Sequence, residues 1–378
     1  MTPTTSRRWR IALASSAALA LILVLAGRWT LSLPAFGGTL SGARLARVEA
    51  HPQYRDGAFV NVERQAPSSL ADLGSFLGES LFYDEIRVPS APPPVLPVDP
   101  AQLALPPRPG LRAFWVGHAS VYVELDGLRL LVDPVFSAYA SPFALGPLRF
   151  HAPPIALADL PAIDAVLISH DHYDHLDMAT IRHLAARGTR FFVPLGVGAH
   201  LERWEVPAAQ IRELAWWQEE TLAGVRIVST PNRHYSGRGL TDYKATLWSS
   251  WSVVGPGHRI FYSGDTGYSA RFAEIGERFG PFDMSFVKIG AYGPGASWLD
   301  IHMDPEDAVR VHQDVRAARM FPVHWGTFNL AYHDWFEPIE RARAAAAAAG
   351  VELVTPRVGE WVVDDEAFVS RPWWREID

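Results

Sequence analysis

The chain gathers its chemistry in one short string, Ser169-His170-Asp171-His172-Tyr173-Asp174-His175. Three imidazoles and two carboxylates follow directly on the apolar run Ala165-Val166-Leu167-Ile168. One buried His is usually satisfied by a hydrogen bond. Three beside two carboxylates would titrate under strain and lack partners without a cation among them. His170 and His172 are two residues apart, so in extended chain they point the same way. Asp174 and His175 lie past the strand end, on a turn, and can face another point. One segment can therefore supply two neighbouring cations.

The rest of the composition limits what those cations are. The 378 residues include 14 His and no Cys. Disulfides, thiolate-held zinc, iron–sulfur clusters and thiol nucleophiles are excluded. Imidazole with carboxylate suits zinc, and the same ligand types accept iron or manganese. Lys plus Arg is 34 against 41 Asp plus Glu, a net charge of -7. That balance argues against a nucleic-acid partner, which needs a basic surface. With 48% hydrophobic and 20% charged residues the chain is globular rather than disordered. Oligomeric state is not legible.

Three regions follow from the sequence. In residues 1–30, Arg7, Arg8 and Arg10 precede an apolar run from Ile11 to Gly27, which reads as a signal peptide or a single membrane anchor. Val24 and Ala26 suit a cleavage site, so both forms stay open. Basic residues ahead of the run favour a cytoplasmic N-terminus, with the remainder exported or held across the membrane. Residues 31–109 form an extension with the Pro-rich stretches Ala91-Pro92-Pro93-Pro94 and Pro106-Pro107-Arg108-Pro109, read as packed on the main domain. Residues 110–378 alternate strands and helices.

Within that domain Asp126-Gly127, between Val121–Leu125 and Leu128–Val132, predicts a tight hairpin. A helix is expected over Met178–Arg187. Strands are expected at Arg190–Val193, Val225–Ser229, Arg259–Tyr262, Met284–Ile289 and Met320–Val323. Asp304-Pro305-Glu306-Asp307 is a good helix start. Helices outside sheets follow, a layered α/β fold with polar clusters at strand ends.

The string His170-x-His172-x-Asp174-His175 resembles the signature of the metallo-β-lactamase superfamily. Trp115-Val116-Gly117-His118-Ala119-Ser120, Val132-Asp133-Pro134-Val135-Phe136-Ser137, His302-Met303-Asp304-Pro305 and His324-Trp325-Gly326-Thr327-Phe328 resemble the branch of N-acyl-phosphatidylethanolamine phospholipase D and its bacterial relatives. The resemblance spans about Leu111 to Glu360. It implies a four-layer αββα sandwich and two Zn2+ ions. His170, His172 and His234 would hold one ion, and Asp174, His175 and His324 the other, with Asp265 between them. It further implies hydrolysis of a phospholipid phosphodiester by a hydroxide that the two ions share, with Asp174 or Asp265 handling the proton.

Read alone, His234 fits a surface loop and Asp265 a simple turn. His200 and His258 are rivals as ligands, with a structural role expected for the first and exposure for the second. His118 and His302 are candidates for substrate contact, or for a hydrogen-bonding or capping role. Trp216, Trp217, Trp248, Trp251 and Trp298 fit either an apolar substrate groove or ordinary packing. A lactonase or other small ester or phosphoester hydrolase is the alternative enzyme. A membrane-tethered, non-catalytic metal-binding protein is the alternative outside enzymes.

Overall fold

The computed structural model describes residues 3–66, 74, 75, 78, 84–293 and 295–377; the side chains of residues 3–12, 14, 17 and 296 are outside that description. A small hairpin in the N-terminal extension pairs β1 (Tyr54–Arg55) with β2 (Ala58–Phe59). The main domain then opens with β3 (Leu111–Gly117), β4 (Ser120–Leu125), β5 (Leu128–Val132), β6 (Ala165–Leu167), β7 (Arg190–Pro194) and β8 (Ile211–Leu214). It continues with β9 (Glu219–Leu222), β10 (Val225–Thr230), β11 (Ser250–Val254), β12 (Arg259–Tyr262), β13 (Phe282–Lys288), β14 (Ala317–Val323), β15 (Glu352–Leu353) and β16 (Trp361–Val363).

These form two seven-stranded sheets, β16-β3-β4-β5-β6-β7-β8 and β15-β14-β13-β12-β11-β10-β9. Each is mixed. β3, β4 and β5 are antiparallel and β5 to β8 parallel, while β9 to β12 are antiparallel and β12 to β15 parallel. The Asp126-Gly127 turn has positive φ at both residues (48° and 90°), as its sequence demands.

Strand periodicity explains the layering. Ala113, Trp115, Val121, Val123, Leu130 and Val132 face the second sheet and pack with Ile227, Trp251 and Val253. The alternate residues Phe114, Val116, Tyr122 and Leu131 face outward onto Ile181, Leu184 and Leu201. Those last three belong to helices Met178–Ala185 and Gly198–Arg203. Burial on both faces is why these strands read as continuous apolar runs. Helices Arg271–Phe279, Pro305–Asp314 and Glu337–Ala349 cover the second sheet through Ile275, Val309 and Ile339. Asp304 caps the second of them, its side chain accepting from Asp307 N. Trp248 and Trp251 are fully buried in core clusters, so packing, not a groove, explains them.

The chain begins with a helix, Pro3–Leu31. Among the described residues no helix is long and apolar enough to cross a membrane. The side chains of Arg7, Arg8 and Arg10 lie outside the described residues.

Candidate metal centre

The site sits where β3, β6, β10, β12 and β14 end, between the two sheets. Each strand delivers its ligating candidates one to eight residues past its last paired residue: His118, then His170 to His175, His234, Asp265 and His324. Two backbone details make this delivery work. His118 and His324 adopt φ of 53° and 67°, left-handed values that side chains rarely accept, and His324 N donates to His118 O at 2.9 Å. Such conformations cost about 1–3 kcal/mol each and persist where the surroundings over-determine them. Gly264, at φ 58°, precedes Asp265, and a Cβ there would lie 2.7 Å from Ser169 Cβ. Only glycine fits this approach.

Three nitrogens converge first. His170 Nε2 lies 2.9 Å from His172 Nδ1, which lies 3.4 Å from His234 Nε2. Two of the three outer nitrogens are held: His170 Nδ1 by Ser169 Oγ at 2.9 Å, and His234 Nδ1 by Ile301 O at 3.0 Å. Fixing the outer nitrogen aims the inner lone pair at a common point.

A second group adjoins it. Asp265 Oδ1 is 3.0 Å from His324 Nε2, and its Oδ2 is 3.3 Å from His175 Nε2. Asp174 Oδ2 is 3.4 Å from His175 Nε2 and 3.5 Å from His324 Nε2. His175 Nε2, His324 Nε2 and Asp265 Oδ1 are buried with no hydrogen-bond partner. Leaving three such atoms unsatisfied is costly, roughly 1–3 kcal/mol apiece, and a cation among them removes the penalty. The donor set of imidazole and carboxylate fits a zinc-type ion.

The electrostatics agree. Burial pushes the Asp265 carboxyl up, but His324 and His175 beside it outweigh this and hold it well below its ordinary value. Burial likewise opposes ionisation of Asp174, and His175 and His118 overcome it. Burial lowers His175 and His324, yet Asp265 and Asp174 pull both above the usual imidazole range. The carboxylates thus make a field that favours positive charge where these Nε2 atoms point. His170 and His234 are held neutral, chiefly by burial.

All seven sequence candidates therefore meet in one pocket, and His118 and His302 join them. His118 Nε2 contacts Asp174 Oδ2 at 2.9 Å, and burial lowers its imidazole to about 3. His302 Nδ1 lies 3.7 Å from Asp265 Oδ2. The rivals stand apart from it. His200 is buried and pairs with Asp171 at 3.2 Å, while His258 pairs with Asp126 at 2.7 Å and is partly rather than fully exposed.

Three residues that support the site were given no role from sequence. Asp133, fully buried, accepts from Ser169 N at 2.6 Å, His175 Nδ1 at 2.7 Å and Tyr262 OH at 2.6 Å. Asn232 Nδ2 donates to Ser263 O and Asp265 O, fixing the Asp265 turn. Asn61, from the extension, clamps the His234 backbone: its Nδ2 donates to His234 O at 2.8 Å and its Oδ1 accepts from His234 N at 3.1 Å. Asp133 stood in a family-like segment. Asn61, so distant in sequence from His234, gave no signal.

Residues 128–325 match the family described as Beta-lactamase superfamily domain. An uncharacterised protein of Mycobacterium tuberculosis is 44% identical over 364 residues, covering 93% of this chain and 95% of its own. The N-acyl-phosphatidylethanolamine-hydrolyzing phospholipase D 1 of Caenorhabditis elegans is 36% identical over 274 residues, covering 68% of this chain and 77% of its own. Among solved structures, a metallo hydrolase of the archaeon Ignicoccus hospitalis superposes with a TM-score of 0.53 at 22% identity, over 67% of this chain and 97% of its own. That last likeness concerns the fold alone.

Proposed function

Since the chain belongs to the metallo-β-lactamase superfamily, in the branch with the N-acyl-phosphatidylethanolamine-hydrolyzing phospholipases D, it is a metal-dependent hydrolase, and we propose that it cleaves the phosphodiester of an N-acyl-phosphatidylethanolamine-like lipid. The products would be phosphatidic acid and an N-acylated amino alcohol. The observation that carries the reading is the convergence of seven metal-type side chains in one cluster, one of which, Asp174, is a partly open carboxylate.

His170 Nε2, His172 Nδ1 and His234 Nε2 would hold one Zn2+, Asp174, His175 and His324 would hold a second, and Asp265 would serve both. Bound there, the cations supply Lewis acidity and neutralise charge that develops on phosphoryl oxygens. The protein groups do the rest. Asp174 is 15% exposed at its side chain against 2% for Asp265, so it is the carboxylate that meets the pocket. His118 Nε2 donates to Asp174 Oδ2 and holds it in place, and Asp174 takes the proton of the attacking water. Asp133 and Ser169 keep His175 and His170 in their working orientations. His302, whose Nδ1 lies 3.7 Å from Asp265 Oδ2, is assigned contact with a phosphoryl oxygen.

Isotopically labelled water tests the reaction. Attack at phosphorus is expected to put label into phosphatidic acid and none into the amino alcohol, read by mass. Label in a free carboxylate, with none in phosphate, would make the enzyme an esterase or lactonase on the same metal ligands.

The N-terminal helix is assigned as a membrane anchor, with the hydrolase on the non-cytoplasmic side. Residues 18–29 are exposed in unbroken succession. They span more than three turns, so no face of that stretch packs on the domain. An apolar helix without a packing face calls for lipid around it. Protease added outside intact spheroplasts is expected to digest the hydrolase domain, and full protection would reverse the orientation.

A further inference from the structure

The segment Pro142-Phe143-Ala144-Leu145-Gly146-Pro147-Leu148 contains no polar side chain. It is the tip of a hairpin-like loop, with Ala140 N donating to Pro147 O at 3.0 Å and Arg149 N to Ala138 O at 2.9 Å. Among the described residues the tip stays largely open: Phe143 is 42% exposed, Leu145 75% and Leu148 52%. Successive exposed apolar residues on an ordered loop mark a contact surface.

Two connections say what the loop contacts. On one side Phe143 packs edge-on against Phe36 with ring centroids 5.8 Å apart. Phe36 is five residues beyond Leu31, where the apolar helix ends. Five residues reach at most about 18 Å even fully extended. If that helix lies in a bilayer, the loop tip cannot be far from the bilayer surface. The linker is also fixed rather than free, because Trp204 Nε1 donates to Pro34 O at 2.6 Å and Arg238 Nη2 to Ala35 O at 2.9 Å. On the other side the loop's base is built into the site. Arg149, buried, donates to Val116 O and Val135 O, and Phe150 N donates to Thr327 O at 2.8 Å. Thr327 Oγ1 in turn accepts from His118 N at 2.6 Å.

We propose that the 142–148 loop is a bilayer-docking surface, inserting Phe143 and Leu145 into the same membrane that holds the N-terminal helix and seating the metal pocket at the lipid headgroups. The inference rests on the anchor reading above. Its chemistry requires no headgroup specificity from the loop, only an apolar phase within reach.

The absence of cysteine lets a single label report position. Leu145→Cys, in the full chain, is labelled with an environment-sensitive fluorophore and reconstituted in vesicles of phosphatidylcholine and phosphatidylglycerol. A control label goes on Glu366→Cys, just past β16, whose Val363 pairs with Arg112 at the far end of β3 from His118. The expected result is a blue-shifted emission at 145 and quenching by lipid-borne nitroxide several-fold stronger than at 366. Vesicle-bound protein whose 145 label stays aqueous and is quenched no more than 366 overturns the docking surface alone. A 145 label shielded from both water and nitroxide would make the tip a contact between copies of the chain, which also overturns it. Failure of the chain to float with the vesicles overturns the anchor and the docking surface together. None of these readouts depends on activity, so the phosphodiesterase reading is judged separately. In that assay Phe143→Ser with Leu145→Ser should slow hydrolysis of vesicle-embedded lipid and spare detergent-dispersed substrate.

Discussion

Asp265→Ala is expected to reduce turnover by at least about a hundredfold, beyond the 10–100-fold that loss of an outer partner of a metal ligand costs. Its two oxygens face His324 Nε2 at 3.0 Å, His175 Nε2 at 3.3 Å, His302 Nδ1 at 3.7 Å and His234 Nε2 at 3.9 Å. No other described carboxylate is that close to both halves of the pocket. Without it two cations would repel across a site that has lost its shared anion. Metal content by elemental analysis should fall from two ions per chain to one or fewer, while circular dichroism stays that of the parent. Parental activity with two ions retained would remove Asp265 from the centre. One ion or fewer in the zinc-reconstituted parent would reject the dinuclear assignment itself.

A second large effect is expected at Asp133, which sits behind the pocket and is assigned no metal. Asp133→Ala strips Ser169, His175 and Tyr262 of their common acceptor in a fully buried place. Removing one partner from a buried charged cluster costs about 3–5 kcal/mol. The urea midpoint should drop accordingly. Activity should fall about 10–100-fold as well, since His175 loses the contact that sets its ring. Asp133→Asn separates the two effects. It preserves volume and one acceptor oxygen, so stability should recover more than rate. An unchanged midpoint in the alanine variant would mean that water or a neighbour replaces the carboxylate.

The sequence was most informative where chemistry and local geometry coincide. The Asp-Gly turn and the Asp304 cap are short-range signals that the structure carries as expected, and the histidine string, read from its spacing, lies among residues that could hold a metal. Strand positions were also legible, to within a few residues, because runs such as Phe191-Phe192-Val193 are buried on both faces. Less legible was anything requiring a distant partner. The role of Asn61 depends on His234 arriving beside it, and neither residue's neighbours encode that meeting. His118 and His324 were visible as residues, but not their left-handed backbone. That conformation is imposed by the His324 N to His118 O bond between two strand ends. Trp248 and Trp251 could have lined a groove or a core, since an aromatic residue by itself does not say which.

The clamp of Asn61 on His234 has a consequence for the order of biosynthesis. The two residues are 173 positions apart. At 5–20 residues per second, Asn61 leaves the ribosome roughly 9–35 s before its partner exists. Arg238, which holds Ala35, arrives later still. The N-terminal extension must therefore wait, and its loop closes only over most of the hydrolase. A nascent chain already tethered by its first helix would spend that interval with the His170–His175 string made and His234, Asp265 and His324 still missing. On the ligand assignment proposed above, metal loading would then be a late event, set by when the C-terminal strands arrive rather than by when the signature string is translated.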